Sequence, residues 1–250
     1  MESGTLSSEE FKAFTAEVVP FLHVTSRVTG EYLPNLLDEK GGTGFPYVVV
    51  MDAKGEVLAQ VPWKERTVDG FRKTLKAAGE YSALAAKEKR TPAEEMKLLR
   101  LQHEMHKVED AAARERAIAI DVTDEAVKKD RDAFVFQIDV AAELKGKNLR
   151  EAPARLALGK TFSEWWAAGK EPTEDDLAQP YFILMLDFAE SGRDVALFEK
   201  ALGRLRERFG SLPKSEGFFK KQEERLQKLK APATPVGPDA PVPPPPEGGR

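Results

Sequence analysis

The chain has 250 residues, 38 of them basic and 42 acidic, for a net charge of -4, and it contains no cysteine. That length exceeds the usual single domain, so two domains and a tail are expected. The near balance of charge gives no single-sign field for nucleic acid or an anionic membrane. The missing thiols exclude disulfides, thiolate nucleophiles, cysteine-ligated zinc and iron–sulfur clusters. No run reaches the roughly eighteen apolar residues of a membrane span. Met1 to Lys12 carries three glutamates and no basic stretch followed by an apolar one, so the reading is a cytoplasmic chain without membrane insertion.

Leu6 to Val18 reads as a helix, with Ser7 or Ser8 as cap, Glu9 and Glu10 in the first turn, and Phe11, Phe14 and Val18 on one face. Phe21 to Val28 alternates as a strand, and Tyr32 to Glu39 holds Leu36 and Leu37 in a short amphipathic turn before Gly41, Gly42 and Gly44. Tyr47 to Met51 is a continuous β-branched run of the kind buried on both faces of a sheet. Asp52-Ala53-Lys54-Gly55 makes a turn, Glu56 to Val61 returns as a second strand, and Thr67 opens a helix carrying Val68, Phe71, Leu75 and Ala78.

This order of helix, strand, short helix, Gly-x-Pro loop and hairpin before a final helix resembles the thioredoxin-like family. The segment Gly44-Phe45-Pro46-Tyr47-Val48-Val49-Val50-Met51-Asp52-Ala53-Lys54-Gly55 carries the likeness. The resemblance covers roughly residues 1–80 and implies a partial α/β thioredoxin-like domain with Pro46 in cis. It also implies that the family's first strand and Cys-x-x-Cys motif would lie upstream of Met1. In that family the backbone just before the cis proline pairs with an extended peptide, which makes Gly44, Phe45 and Pro46 a candidate peptide-binding edge.

From Tyr81 the pattern turns to charged helix formers, and residues 81–230 read as an all-α domain of helical hairpins. Thr91-Pro92 starts a long helix to about Ile120, and Thr123 starts another with Val127, Phe134, Ile138 and Ala141 on its stripe. Pro153 and Gly159 punctuate the middle, Thr161 to Ala168 is helical, and Gln179-Pro180 starts a helix within the stretch from Glu174 to Glu190. Ser191-Gly192 reads as a helix end, and Val195 to Phe209 and Phe218 to Leu229 form a last pair. The pairs resemble tetratricopeptide-type hairpins without a recurring signature. Ala231 to Arg250 has eight prolines and three glycines and reads as a disordered tail.

Other residues invite chemistry and then lose it on context. His103 and His106 stand three apart with Glu109 or Asp110 nearby, but the zincin motif is one residue longer and no third ligand follows, so no metal site is expected. His23 has no serine or carboxylate motif beside it and reads as a packed or edge histidine. Asp52 reads as a turn residue and Gly41 to Gly44 lacks the helix a phosphate loop needs. Trp165-Trp166 near Phe162 and Tyr181 can form an aromatic binding surface, but packing between helices accounts for the pair better. The acidic stretch Glu171 to Asp176 reads as a helix start rather than a calcium loop.

The leading expectation is therefore a non-catalytic interaction or scaffold module that binds a protein or peptide and needs no cofactor. It can also self-associate through an exposed sheet edge. The alternative is the C-terminal part of a thioredoxin-like oxidoreductase whose redox motif precedes Met1, periplasmic or secreted if the true start lies upstream.

Overall fold

The computed structural model describes residues 5–24, 33–42, 44–213 and 215–231. Among them are ten helices and one two-stranded sheet, and the chain divides into two compact units, Met1–Ile138 and Asp139–Arg250. No described helix is long and apolar enough to cross a membrane.

In the first unit a 3-10 turn at Thr5–Ser7 leads into α1 (Glu9–Phe14). Ser8 ends up as its cap, with Oγ accepting the Phe11 N–H at 3.1 Å, and two glutamates fill the positive first turn. A single helical turn, α2 (Leu36–Glu39), stands where the amphipathic turn is expected. Strands β1 (Val49–Met51) and β2 (Val57–Gln60) pair antiparallel, Val49 opposite Gln60 and Val50 opposite Ala59, with a register shift before Met51. Asp52 closes the hairpin. Its Oδ1 accepts the N–H groups of Lys54 and Glu56 at 2.8 and 2.9 Å, and Gly55 takes φ +78°.

Helix α3 (Val68–Ala85) is capped by Thr67, which accepts the Gly70 N–H at 3.2 Å. A Cβ on Gly70 would stand 1.8 Å from the Glu65 carbonyl oxygen, so only glycine lets the chain fold back this tightly. Phe14, Val61, Val68 and Phe71 form the core between α1, the hairpin and α3, with the Phe11 and Phe14 rings 5.4 and 5.9 Å from Phe71. The expected domain boundary near residue 80 falls inside α3, whose Leu84 packs on Leu98 and Leu101 of α4 (Pro92–Glu104).

Several expectations change. All three residues of β1 are half-buried rather than enclosed on both faces, because one strand is their only ladder partner among the described residues. The strand expected over 21–28 is not formed at Phe21 to Val24, which have no ladder, and residues 25–28 lie outside the described ones. The sheet therefore accounts for little of the unit, and the α/β expectation gives way to a mostly helical fold with one hairpin. The long helix to Ile120 is two helices: α4 ends at Glu104, His106 takes φ +55°, and α5 (Asp110–Ala119) follows. The break lets Ala113 and Ala117 pack on Met96 and Leu99, completed by Phe134 and Ile138 of α6 (Glu125–Leu144). Asp124, not Thr123, caps α6, accepting the Ala126 and Val127 N–H groups.

The second unit contains α7 (Ala152–Ala167), α8 (Asp175–Ser191), α9 (Val195–Phe209) and α10 (Glu216–Lys230). Pro153 and Gly159 do not break α7. The proline occupies the first turn, where an N–H has no helical acceptor. A Cβ on Gly159 would meet the Leu184 carbonyl oxygen at 2.2 Å and Phe188 Cβ at 2.6 Å, so α7 and α8 touch backbone to backbone there. Pro180 lies inside α8 instead of starting it; the helix ends at Ser191 with Gly192 as its C-cap, as expected, and Arg193 follows at φ +52°. Tyr181 is fully buried, with its hydroxyl 2.9 Å from the carbonyl oxygens of Phe162 and Lys170. Burial, helped by the Glu171 charge, drives its pKa well above the ordinary tyrosine value.

Candidate functional site

The residues singled out from the sequence fall into two groups, those absorbed by structure and those left facing outward. His103 Nε2 lies 2.9 Å from Asp110 Oδ1, with its ring edge-on to Phe134. His106 is in the turn beyond α4, so the two histidines do not share a helical face. No group of three metal-ligating side chains occurs among the described residues. Trp165 packs on Phe162 and Trp166 edge-on to Phe182, at 5.7 and 5.6 Å, which divides the pair between two aromatic contacts. In the acidic stretch before α8, Glu171 holds Arg204 Nε at 2.9 Å and Asp175 holds Arg208 at 2.6 Å. The Glu171 and Glu207 carboxylates raise the Arg204 pKa further above its already high value. A groove between α9 and α10 is lined by Leu202, Gly203, Arg206, Glu223 and Leu226, and its Arg206 and Glu223 pair at 2.5 Å.

Gly44, Phe45 and Pro46 are different. All three are exposed, the Phe45–Pro46 bond is cis as the sequence leads one to expect, and the Phe45 side chain is 68 % exposed. Tyr47 anchors the loop from below by donating its hydroxyl to the Lys40 carbonyl at 2.7 Å, and partial burial raises its pKa. The loop runs directly into β1, whose outer side meets no strand among the described residues.

Two residues that sequence reasoning passed over complete this surface. Trp63 begins a 3-10 turn at Trp63–Glu65 and is 73 % exposed. Arg66 sets its guanidinium 4.9 Å from the centre of the Trp63 ring and donates from Nη2 to the Pro46 carbonyl at 2.7 Å. Its own backbone is held by Thr5, whose Oγ1 donates to the Arg66 carbonyl at 3.0 Å. One arginine thus ties the proline loop to the turn that follows β2. The signal was readable: Trp63 follows Pro62 at a strand end and runs directly into the charged Lys64, Glu65 and Arg66. Val19, Phe21, Leu22, Val24 and Leu33 are also exposed. Seven of the ten exposed large apolar side chains among the described residues therefore fall between Val19 and Trp63.

Among the described residues this surface offers two exposed aromatic side chains, an edge of β1 that pairs with no strand, and one guanidinium. In comparisons with known proteins no family model matches the chain, and neither does any curated protein or solved structure.

Proposed function

We propose that this chain is a non-catalytic interaction module that docks an extended segment of a protein partner at the Phe45–Pro46 loop and the free edge of β1. The observation that carries the reading is one arginine, Arg66, that stacks on the exposed Trp63 ring and hydrogen-bonds the Pro46 carbonyl of a loop whose Phe45 side chain is also exposed. Backbone groups along such an edge give affinity, and aromatic faces give contact area with little side-chain entropy to lose. The order of glycine–proline loop, hairpin and helix supports a thioredoxin-like origin for this half. The absence of cysteine from the sequence removes thiol–disulfide exchange from what it can do. The helices of Asp139–Arg250 fit a scaffold role of their own.

The test is selection of random dodecapeptides displayed on phage against the immobilised full chain, followed by titration of synthetic copies. Enriched peptides should bind at least about tenfold more weakly to Phe45→Ser and Trp63→Ser, since exposed aromatic anchors dominate such contacts. Both variants should keep the wild-type thermal melt. Failure to enrich any peptide, or equal affinity for both variants, overturns the reading.

A further inference from the structure

Arg66 differs from its neighbours in how its charge is met. In the same unit Arg72, Arg90, Arg100 and Arg131 each reach a carboxylate, at 3.3, 2.7, 2.7 and 2.9 Å. Arg66 reaches none among the described residues, and its one hydrogen bond goes from Nη2 to a neutral carbonyl. Its Nε and Nη1 are shielded from water and have no acceptor among the described residues. A guanidinium withdrawn from solvent with two nitrogens unsatisfied is unfavourable unless an acceptor arrives, because water's hydrogen bonds are lost and nothing replaces them. The Trp63 ring, itself mostly in solvent, lies over one face of the group.

Resting on the docking reading above, we infer that the partner segment is acidic: an extended peptide that lays an Asp or Glu carboxylate on Arg66 while an apolar side chain contacts Phe45 or Trp63. One guanidinium that meets no carboxylate among the described residues matches one carboxylate. Because the guanidinium is fixed to the Pro46 carbonyl, the carboxylate must fall at one place in the register of the bound segment.

A library of N-acetylated, C-amidated octapeptides built from Val, Phe, Ser, Asn and Asp, titrated against the full chain, decides this. The expected result is a preference of about tenfold or more for Asp over Asn at a single position, since charge-assisted hydrogen bonds are the stronger kind. That preference should vanish in Arg66→Gln, which keeps a polar side chain but removes the charge, while a residual affinity for Phe-containing peptides remains. The wild-type Asp-to-Asn ratio stands as a measurement of its own if the variant fails to fold. Binding with no Asp preference overturns the acidic partner and leaves the docking surface intact. An Asp preference that survives Arg66→Gln overturns the assignment to Arg66. No binding by any member overturns the docking reading together with this one.

Discussion

Replacing Gly159 with alanine sets two effects of opposite sign against each other. Glycine in the middle of a helix is about 1 kcal/mol worse than alanine, so propensity alone makes Gly159→Ala stabilising. The added methyl, however, would stand 2.2 Å from the Leu184 carbonyl oxygen, an atom of the α8 backbone that has no rotamer to escape into. Restoring ordinary contact requires α7 and α8 to separate by about 1 Å, and a gap of that size forfeits a quarter to a half of the dispersion across the interface. Leu158, Phe162, Tyr181, Leu184 and Met185 all lie in or beside it, each nearly or fully buried. Overpacking of this kind costs about 1–3 kcal/mol or somewhat more, and here it exceeds the propensity gain. A net loss of about 2 kcal/mol is expected. Gly203 supplies the control: it is inside α9, a Cβ there meets nothing within 4 Å, and Gly203→Ala should therefore stabilise by about 0.5–1 kcal/mol. Urea unfolding followed at 222 nm measures both. A Gly159→Ala chain as stable as the parent, or a ranking in which Gly203→Ala is the more damaging, refutes the close-approach argument.

Asp187, with only 10 % of its side chain exposed, accepts from Arg155 Nε at 3.0 Å and Arg225 Nη2 at 2.8 Å, joining α7 and α10 to α8. Partial burial opposes the charge on Arg225, yet Glu190 and Asp187 together hold its pKa above the ordinary value. Asp187→Ala leaves both arginines short of an acceptor. Since these are partly exposed, the expected loss in urea unfolding is about 1–3 kcal/mol rather than the larger figure for a fully buried pair. Tyr181→Phe removes a buried hydroxyl that serves two carbonyls and should destabilise by about 1–2 kcal/mol. An unchanged urea midpoint would show that those carbonyls find other donors. The Asp52 carboxyl is held below its ordinary pKa, first by the Glu56 N–H and then by that of Lys54. A lowered folded-state pKa contributes stability that is present above the unfolded value of about 3.9 and is lost as pH falls through the folded value. Carbon-detected titration of Asp52 should place its midpoint below that of an unstructured Asp. A midpoint at or above that value removes the turn contacts as its cause.

Local rules carried far in this sequence wherever a single residue decides. Ser8, Thr67, Thr91, Asp52 and Gly55 take the capping and turn roles their types imply, and Thr91 forms a reciprocal capping box with Glu94. The misses arise where distant packing overrides local preference. Nothing near His106 announces a helix break. The break exists because Ala113 and Ala117 must return to Met96 and Leu99. Gly159 looks like a helix breaker in sequence and is in fact the contact point between two helices, a role visible only once Leu184 is opposite. Strand content was overestimated because a β-branched run such as Tyr47 to Met51 specifies extended backbone without specifying how many strands lie beside it. The same limit applies to the candidate site. Phe45 and Pro46 were legible from the loop pattern, whereas Arg66 became part of it only through a hydrogen bond spanning twenty residues of sequence.

The seven apolar side chains exposed between Val19 and Trp63 also bear on how much of this chain a cell can hold. Pairwise encounters between identical surfaces rise with the square of concentration, whereas capture by a partner in excess rises only in proportion to it. On the docking reading proposed above, the partner wins at low abundance; past some crossover, copies of the chain meet each other first. On that reading, expression matched to the partner's, rather than expression at a high level, is the regime in which such a surface stays selective.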